Sequence, residues 1–328
     1  MPLQQEAMLK PMQGIPKMTV DFCNPSKLLV FPILIPGESY YSLLARYERI
    51  SGNLSEMYTF RQLFGNRPTL DAAVTLPYRV RLIDEKVPME CGLSSDLVIR
   101  ECTAYHYLRL SGLFTDRAFE QILVARTKRG RNQRARMIRA LQGSQPRHLR
   151  FCPECILSDT MEYHESYWHL VHQLEGVEYC PIHGTRLIES PWPAKEKLTH
   201  FYTAPDPDTA ERFGREADTS LSPDPFQQSY LELSRVIDWL LKNAEAIGSE
   251  FRLLKLYESE LGELSAEKIL RQLASAGPNF FKALFPGDEM SEFEASLRQN
   301  GIIRQRPLVH ALLIMSFGGI PWISKYQT

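Results

Sequence analysis

Three of the chain's six cysteines and four of its eight histidines fall between Arg150 and Leu187, in RFCPECILSDTMEYHESYWHLVHQLEGVEYCPIHGTRL. Cys152 and Cys155 form C-P-E-C, and Cys180 and His183 form C-P-I-H followed by Gly184. Each pair is a knuckle: two ligands three positions apart on a tight turn that aims both side chains at one point. Two knuckles supply four ligands, the closed tetrahedral set of a structural zinc. Thiolate and imidazole donors select zinc ahead of calcium or magnesium, with iron as the alternative. A catalytic zinc keeps one position for water. Here all four places have candidates, so the predicted ion holds shape. A zinc hydrolase or deaminase would instead need an open position beside a base such as Glu154 or Glu165. His164, His169 and His172 lie between the knuckles and are read as surface histidines or partners of backbone groups. Cys23, Cys91 and Cys102 have no paired spacing and are read as packed thiols.

The whole chain bounds this reading. At 328 residues it is long enough for two or three compact units. With 44% hydrophobic and 23% charged residues and a net charge of −1, it has the composition of a soluble globular protein. The opening MPLQQEAMLKPMQ does not resemble a signal peptide. The apolar runs near Leu28 and Leu312 fall short of the ~20 residues that cross a bilayer, so no membrane partner is expected. The cytoplasm is the expected location, and there closely spaced cysteines bind metal rather than pair. No G-x-x-x-x-G-K-[ST] loop is present, so the chain has no recognisable nucleotide-hydrolysing loop of its own.

The patterning predicts a mainly α fold with an N-terminal helix-turn-helix helical domain, a small zinc ribbon and a C-terminal helical domain. Residues 1–28 read as an extended arm and 29–145 as the first helical domain. The ribbon spans 146–190, a Pro/Asp-rich linker 191–228, and the C-terminal helices 229–328. Tyr40, Leu43, Leu44, Tyr47 and Ile50 share helical spacing, closed by Gly52. Ser55 can cap a second helix that Gly65 stops; a helix-turn-helix or a plain αα-hairpin fits both. Helix is also expected over Asp96–Leu110 and Asp116–Ala125, and Ser291 with Glu294 reads as a capping box. Between Ala125 and Arg150 the chain has no carboxylate. Arg126, Lys128, Arg129, Arg131, Arg134, Arg136 and Arg139 there are candidate contacts to nucleic-acid phosphates, favoured by counterion release. A solvated helix face, or an internal partner for acidic segments elsewhere, is the alternative. Arg147 and Arg150 extend the run.

Three stretches carry a family resemblance. FPILIPGESYYSLLARYERISGN resembles the opening of TniQ/TnsD proteins, followed by LFG at Leu63–Gly65 and LP at Leu76–Pro77. RFCPECILSD…YWHLVHQLEGVEYCPIHGTRL is similar to that family's zinc ribbon. RPLVHALLIMSFGG from Arg306 resembles the HPLRHLLL element of longer TnsD-type members, with Arg306 in the first histidine position. The resemblance implies a bacterial, non-enzymatic target-site selector in DNA transposition. Such a protein binds double-stranded target DNA and recruits the AAA+ ATPase TnsC, and through it the transposase. The alternative it implies is an adaptor that links a CRISPR effector complex with guide RNA to TnsC. A stand-alone zinc-ribbon transcription factor is the remoter reading.

Overall fold

Ser39 and Gly52 bracket the first helix. In the computed structural model, which describes residues 28–65, 74–77, 80–88, 91–124, 132, 136–137, 139–141, 146–194, 200–218, 224–248 and 250–326, α1 spans Tyr40–Ser51. The Ser39 hydroxyl accepts the Ser42 N–H at 3.2 Å, and Gly52 closes the helix at φ 64°, which only glycine adopts freely. Tyr40, Tyr41, Leu43, Leu44 and Tyr47 are buried. Ser55 caps α2 (Glu56–Phe64) by accepting the Tyr58 N–H at 3.3 Å. The Asn53 amide ties the turn by donating to Thr59 Oγ1 and Gln62 Oε1, both at 2.9 Å.

Short helices follow: α3 (Ile83–Lys86), α4 (Ser95–Cys102), α5 (Tyr105–Arg109) and α6 (Asp116–Val124). The single helix expected over 96–110 is divided at Thr103, whose backbone is extended. Its hydroxyl donates to Ile99 O at 2.6 Å and accepts the Tyr105 N–H at 3.2 Å. A side chain that offers the backbone local partners competes with helix continuation.

The ribbon is an antiparallel pair, β1 (His148–Phe151) with β2 (Ile188–Pro193), registered Arg150↔Glu189 and Phe151↔Ile188. Helix α7 (Pro153–Tyr163) leaves directly from β1. The Pro36–Ser39 stretch lies against the middle of the ribbon like a short strand. Leu170 N donates to Gly37 O and Ser39 N to Trp168 O, each at 2.9 Å, and Glu38 bridges His169. Trp168 is fully buried; its ring N–H reaches Tyr202 O at 2.7 Å and its backbone N–H reaches Ser42 Oγ at 3.0 Å. Two sequence motifs separated by more than a hundred residues are therefore one contact.

Residues 191–228 do more than connect. They finish β2, place buried Phe201 and Ala204 under the helices, and form α8 (Pro207–Asp218). Proline and acidic content marked a linker, but backbone carbonyls at 200, 202 and 205 are claimed by Tyr41, Trp168 and Ser166.

The C-terminal body contains α9 (Gln227–Ile247), α10 (Glu250–Leu261), α11 (Ala266–Ser275), α12 (Pro278–Leu284), α13 (Glu289–Asn300), α14 (Pro307–Ser316) and α15 (Gly319–Ile323). Helix α13 begins two residues before Ser291, so Ser291 is inside it and the expected capping box does not form. Helix α14 is buried from Pro307 to Met315 and packs on α9 and α11. Among the described residues no single helix is long and apolar enough to cross a membrane.

Gly176 joins ribbon to body. At φ +82°, a Cβ there would lie 2.6 Å from Leu308 Cδ1 and 3.3 Å from Ile237 Cδ1. Beside it Arg306 donates to Glu175 at 2.5 Å and lies over the Phe285 ring. Arg306, in the first histidine position of the family element, thus serves the ribbon–body contact.

Candidate metal centre and nucleic-acid surface

Cys152 is the N-cap residue of α7, Pro153 opens the helix, and Cys155 sits in its first turn. Proline at the first position fixes φ and lacks an N–H that would be orphaned. The unpaired N–H groups and the positive end of the helix there favour thiolate. The second knuckle closes by Gly184 N–H to Cys180 O at 2.9 Å and Cys180 N–H to Thr185 O at 2.8 Å. Gly184 turns the chain at φ +74°.

The two knuckles converge. Ligand atoms of Cys152, Cys155, Cys180 and His183 all lie within 4.8 Å of one another. His183 Nδ1 is 3.6 Å from Cys152 Sγ, 3.3 Å from Cys155 Sγ and 3.7 Å from Cys180 Sγ, and Cys155 Sγ is 3.6 Å from Cys180 Sγ. Zinc–sulfur and zinc–nitrogen bonds of ~2.3 and ~2.0 Å in a tetrahedron give edges of about 3.5–3.8 Å. The four residues can hold a metal ion, and their donor set and spacing are compatible with zinc. Hydrogen bonds from the Cys152 and Cys155 thiols to Cys180 hold its pKa well below the usual thiol range.

A second layer fixes the first. The Gln173 side chain pairs with the backbone of Arg150 like an added strand residue: Oε1 accepts Arg150 N–H at 3.0 Å, and Nε2 donates to Arg150 O at 2.7 Å. That anchors the middle of the ribbon to the strand leading into Cys152. Arg150 itself is buried, donating to Leu174 O at 2.8 Å and to Glu178 at 3.2 Å. Counted with the basic run in the sequence, it turns inward and serves the ribbon. Gln173 carried no signal in the sequence, because its role requires β1 as a neighbour.

Two of the intervening histidines, His169 and His172, bring a ring nitrogen within 4.8 Å of Cys155 Sγ without belonging to the four-donor set. His164 adopts φ 61° at the end of α7. His169 and Asp159 are 2.9 Å apart and both buried, and His172 is fully buried, with burial pushing its pKa down to about 4. Glu165 is engaged by Arg46 at 2.7 Å and by Arg49, and Glu154 is exposed. Cys102 is buried as expected, whereas Cys91 is exposed, and Cys23 lies outside the described residues.

Of the seven basic candidates, Arg126, Lys128, Arg129, Arg131 and Arg134 lie outside the described residues. Arg136 and Arg139 are exposed, while Met137 and Leu141 on the same helical stretch are buried. The described part therefore shows one apolar and one cationic face. Arg139 also lines a cavity of about 430 Å³ with Arg304, Arg306, Glu289 and Glu292. The α1–α2 pair presents a different surface, since Ile50, Leu54, Met57 and Tyr58 are exposed around its turn. Periodicity placed these helices but did not mark that apolar edge.

Residues 29–187 match the family model TniQ. The transposon Tn7 transposition protein TnsD of Escherichia coli is 26% identical over 156 residues, which cover 47% of this chain and 30% of that protein. The aligned part is thus less than a third of that relative's length.

Proposed function

From its membership of the TniQ family, we propose that this chain is a non-catalytic target-site selector in DNA transposition. In this reading it binds double-stranded target DNA and recruits an AAA+ ATPase of the TnsC type, and so the transposase, in the bacterial cytoplasm. The observation that carries the reading is the convergence of four metal donors from two knuckles in a ribbon packed on α1. Cys152, Cys155, Cys180 and His183 would hold one structural zinc. Bound there, the ion supplies a cross-link between the two knuckles; the surrounding residues supply the orientation. An ion held by all four would have no place for an activated water. Phosphate affinity comes from the face bearing Arg136 and Arg139.

The test is DNA binding by the full chain at physiological salt, comparing a candidate attachment site with random duplex, followed by capture of the ATPase with ATP. Preference for the site together with ATPase capture supports a TnsD-like selector. DNA binding that never captures the ATPase would instead support a stand-alone zinc-ribbon transcription factor. Reversing charge at Arg136 and Arg139 should weaken DNA binding and lower the slope of log K against log salt by about two. An unchanged slope would assign that face to protein contacts.

A second reading is an adaptor between an RNA-guided CRISPR effector and the ATPase. The exposed apolar edge of Ile50, Leu54, Met57 and Tyr58 favours it, because such an edge suits a protein surface better than a phosphate backbone. ATPase capture without any DNA preference would select this reading.

A further inference from the structure

His172 is fully buried, and neither ring nitrogen has a hydrogen-bond partner. A buried donor left unsatisfied carries its desolvation penalty uncompensated, so its neighbours are informative. His172 lies in the 3₁₀ turn Val171–Gln173, directly after His169 and Leu170. His169 precedes that turn, and the two imidazoles stack at 4.7 Å with 27° between their planes. Asp159 holds His169 Nε2 at 2.9 Å, and Tyr167 stacks on the same ring at 4.2 Å. The column of rings leaves His172 little freedom. One of its nitrogens is within 4.8 Å of Cys155 Sγ, and the ring stands beside Cys180.

Cys155, His169 and His172 form a cluster that invites a second ion. Two features argue against one. Near-parallel stacked rings do not converge their lone pairs on one point, and His169 Nε2 is already engaged by Asp159.

We infer that His172 is a positioning residue whose ring N–H is donated to the Cys180 sulfur, meeting its acceptor when that sulfur is a metal-bound thiolate. A thiol accepts hydrogen bonds weakly, whereas an ionised acceptor roughly doubles their strength. The orphaned donor and the thiolate thus satisfy each other. Outer partners of this kind typically change metal affinity 10–100-fold. The inference rests on the zinc reading above and adds a residue outside the ligand set.

The test uses the full chain loaded with zinc or cobalt(II), comparing wild type, His172→Phe, which keeps a stacking ring, and His172→Gln, which keeps a donor. Metal analysis should give one ion per chain in all three. His172→Phe should lose zinc to a chelator 10–100-fold faster and shift the sulfur-to-cobalt charge-transfer band. His172→Gln should restore both toward wild type. Release rate and band unchanged in His172→Phe overturn the inference and leave the zinc site standing. Two ions in the wild type, falling to one in His172→Phe, overturn it by making His172 a ligand. No metal in the wild type sinks the zinc reading itself and this inference with it. Should His172→Phe fail to fold, cadmium-113 substitution of the wild type decides. A coupling from the metal to the His172 ring proton through the N–H···S contact is expected, and its absence counts against the donor.

Discussion

Around Cys180 the chain is held by polar atoms: three sulfurs, the His183 ring, the Gln173 amide and the buried Arg150 guanidinium. Around Leu313 it is held by hydrocarbon, with α14 enclosed by α9, α11 and α15. Both regions bury a histidine completely. His172 sits beside thiols, whereas His310 stacks on Tyr257 with its Nδ1 3.3 Å from the phenol oxygen. The ribbon is too short to bury enough apolar area by itself, so directional groups must close it. The body has area to spare and can carry a polar residue at a cost. The same residue type thus has two meanings, set by what surrounds it.

Metal removal should divide the two regions most widely. Structural zinc contributes on the order of 10 kcal/mol in small zinc domains. A chelator, or Cys152→Ser, should expose 146–190 to protease and release Trp168 fluorescence. Most far-UV helicity should remain, because the C-terminal helices rest on apolar packing. Ribbon protection and melting temperature unchanged after verified metal loss would reject the ligand assignment.

Acid should next strain the body through His310. Burial pushes its pKa down from 6.5 to about 4. Below 6.5 the unfolded chain binds a proton that the folded chain refuses. Stability is therefore full above pH 6.5 and declines as pH falls toward 4, by about 3 kcal/mol over the window. In His310→Phe that component of the pH slope should vanish. Denaturant titrations of both proteins between pH 7.5 and 4.5 isolate it, since acid effects on the metal ligands are common to both. Parallel curves would mean that His310 is hydrated.

Gly176→Ala probes the seam between the regions. Its Cβ would press on Leu308 and strain a positive φ, at a cost of about 2 kcal/mol. Metal content should not change. Loss of metal in this variant would show that ribbon closure depends on the body, and the contrast drawn above would narrow.

Much of this was legible in residue order. Knuckles need ligands three apart, caps need serine or glycine at helix ends, and both rules act over a few residues. They placed Cys152, Cys155, Cys180 and His183 together and set the C-terminal end of α1 and both ends of α2, while the Ser39 cap of α1 was not read. The division of the expected 96–110 helix at Thr103 was missed because its hydroxyl competes locally with the helix. The roles of 200–205 were missed because their carbonyls are claimed by Tyr41, Trp168 and Ser166 from distant segments. Arg150 read as one more cation, since burial is invisible in a list of charges.

By itself the order of residues determined the donor set, the helical character and the kinship carried by its motifs, because each depends on short-range spacing. Only the tertiary structure decided that Gly37 and Ser39 pair with the ribbon, that Gln173 acts as a strand partner, and that Gly176 is where two bodies touch. Those are contacts between segments remote in sequence, and their energies exist only when both partners are in place.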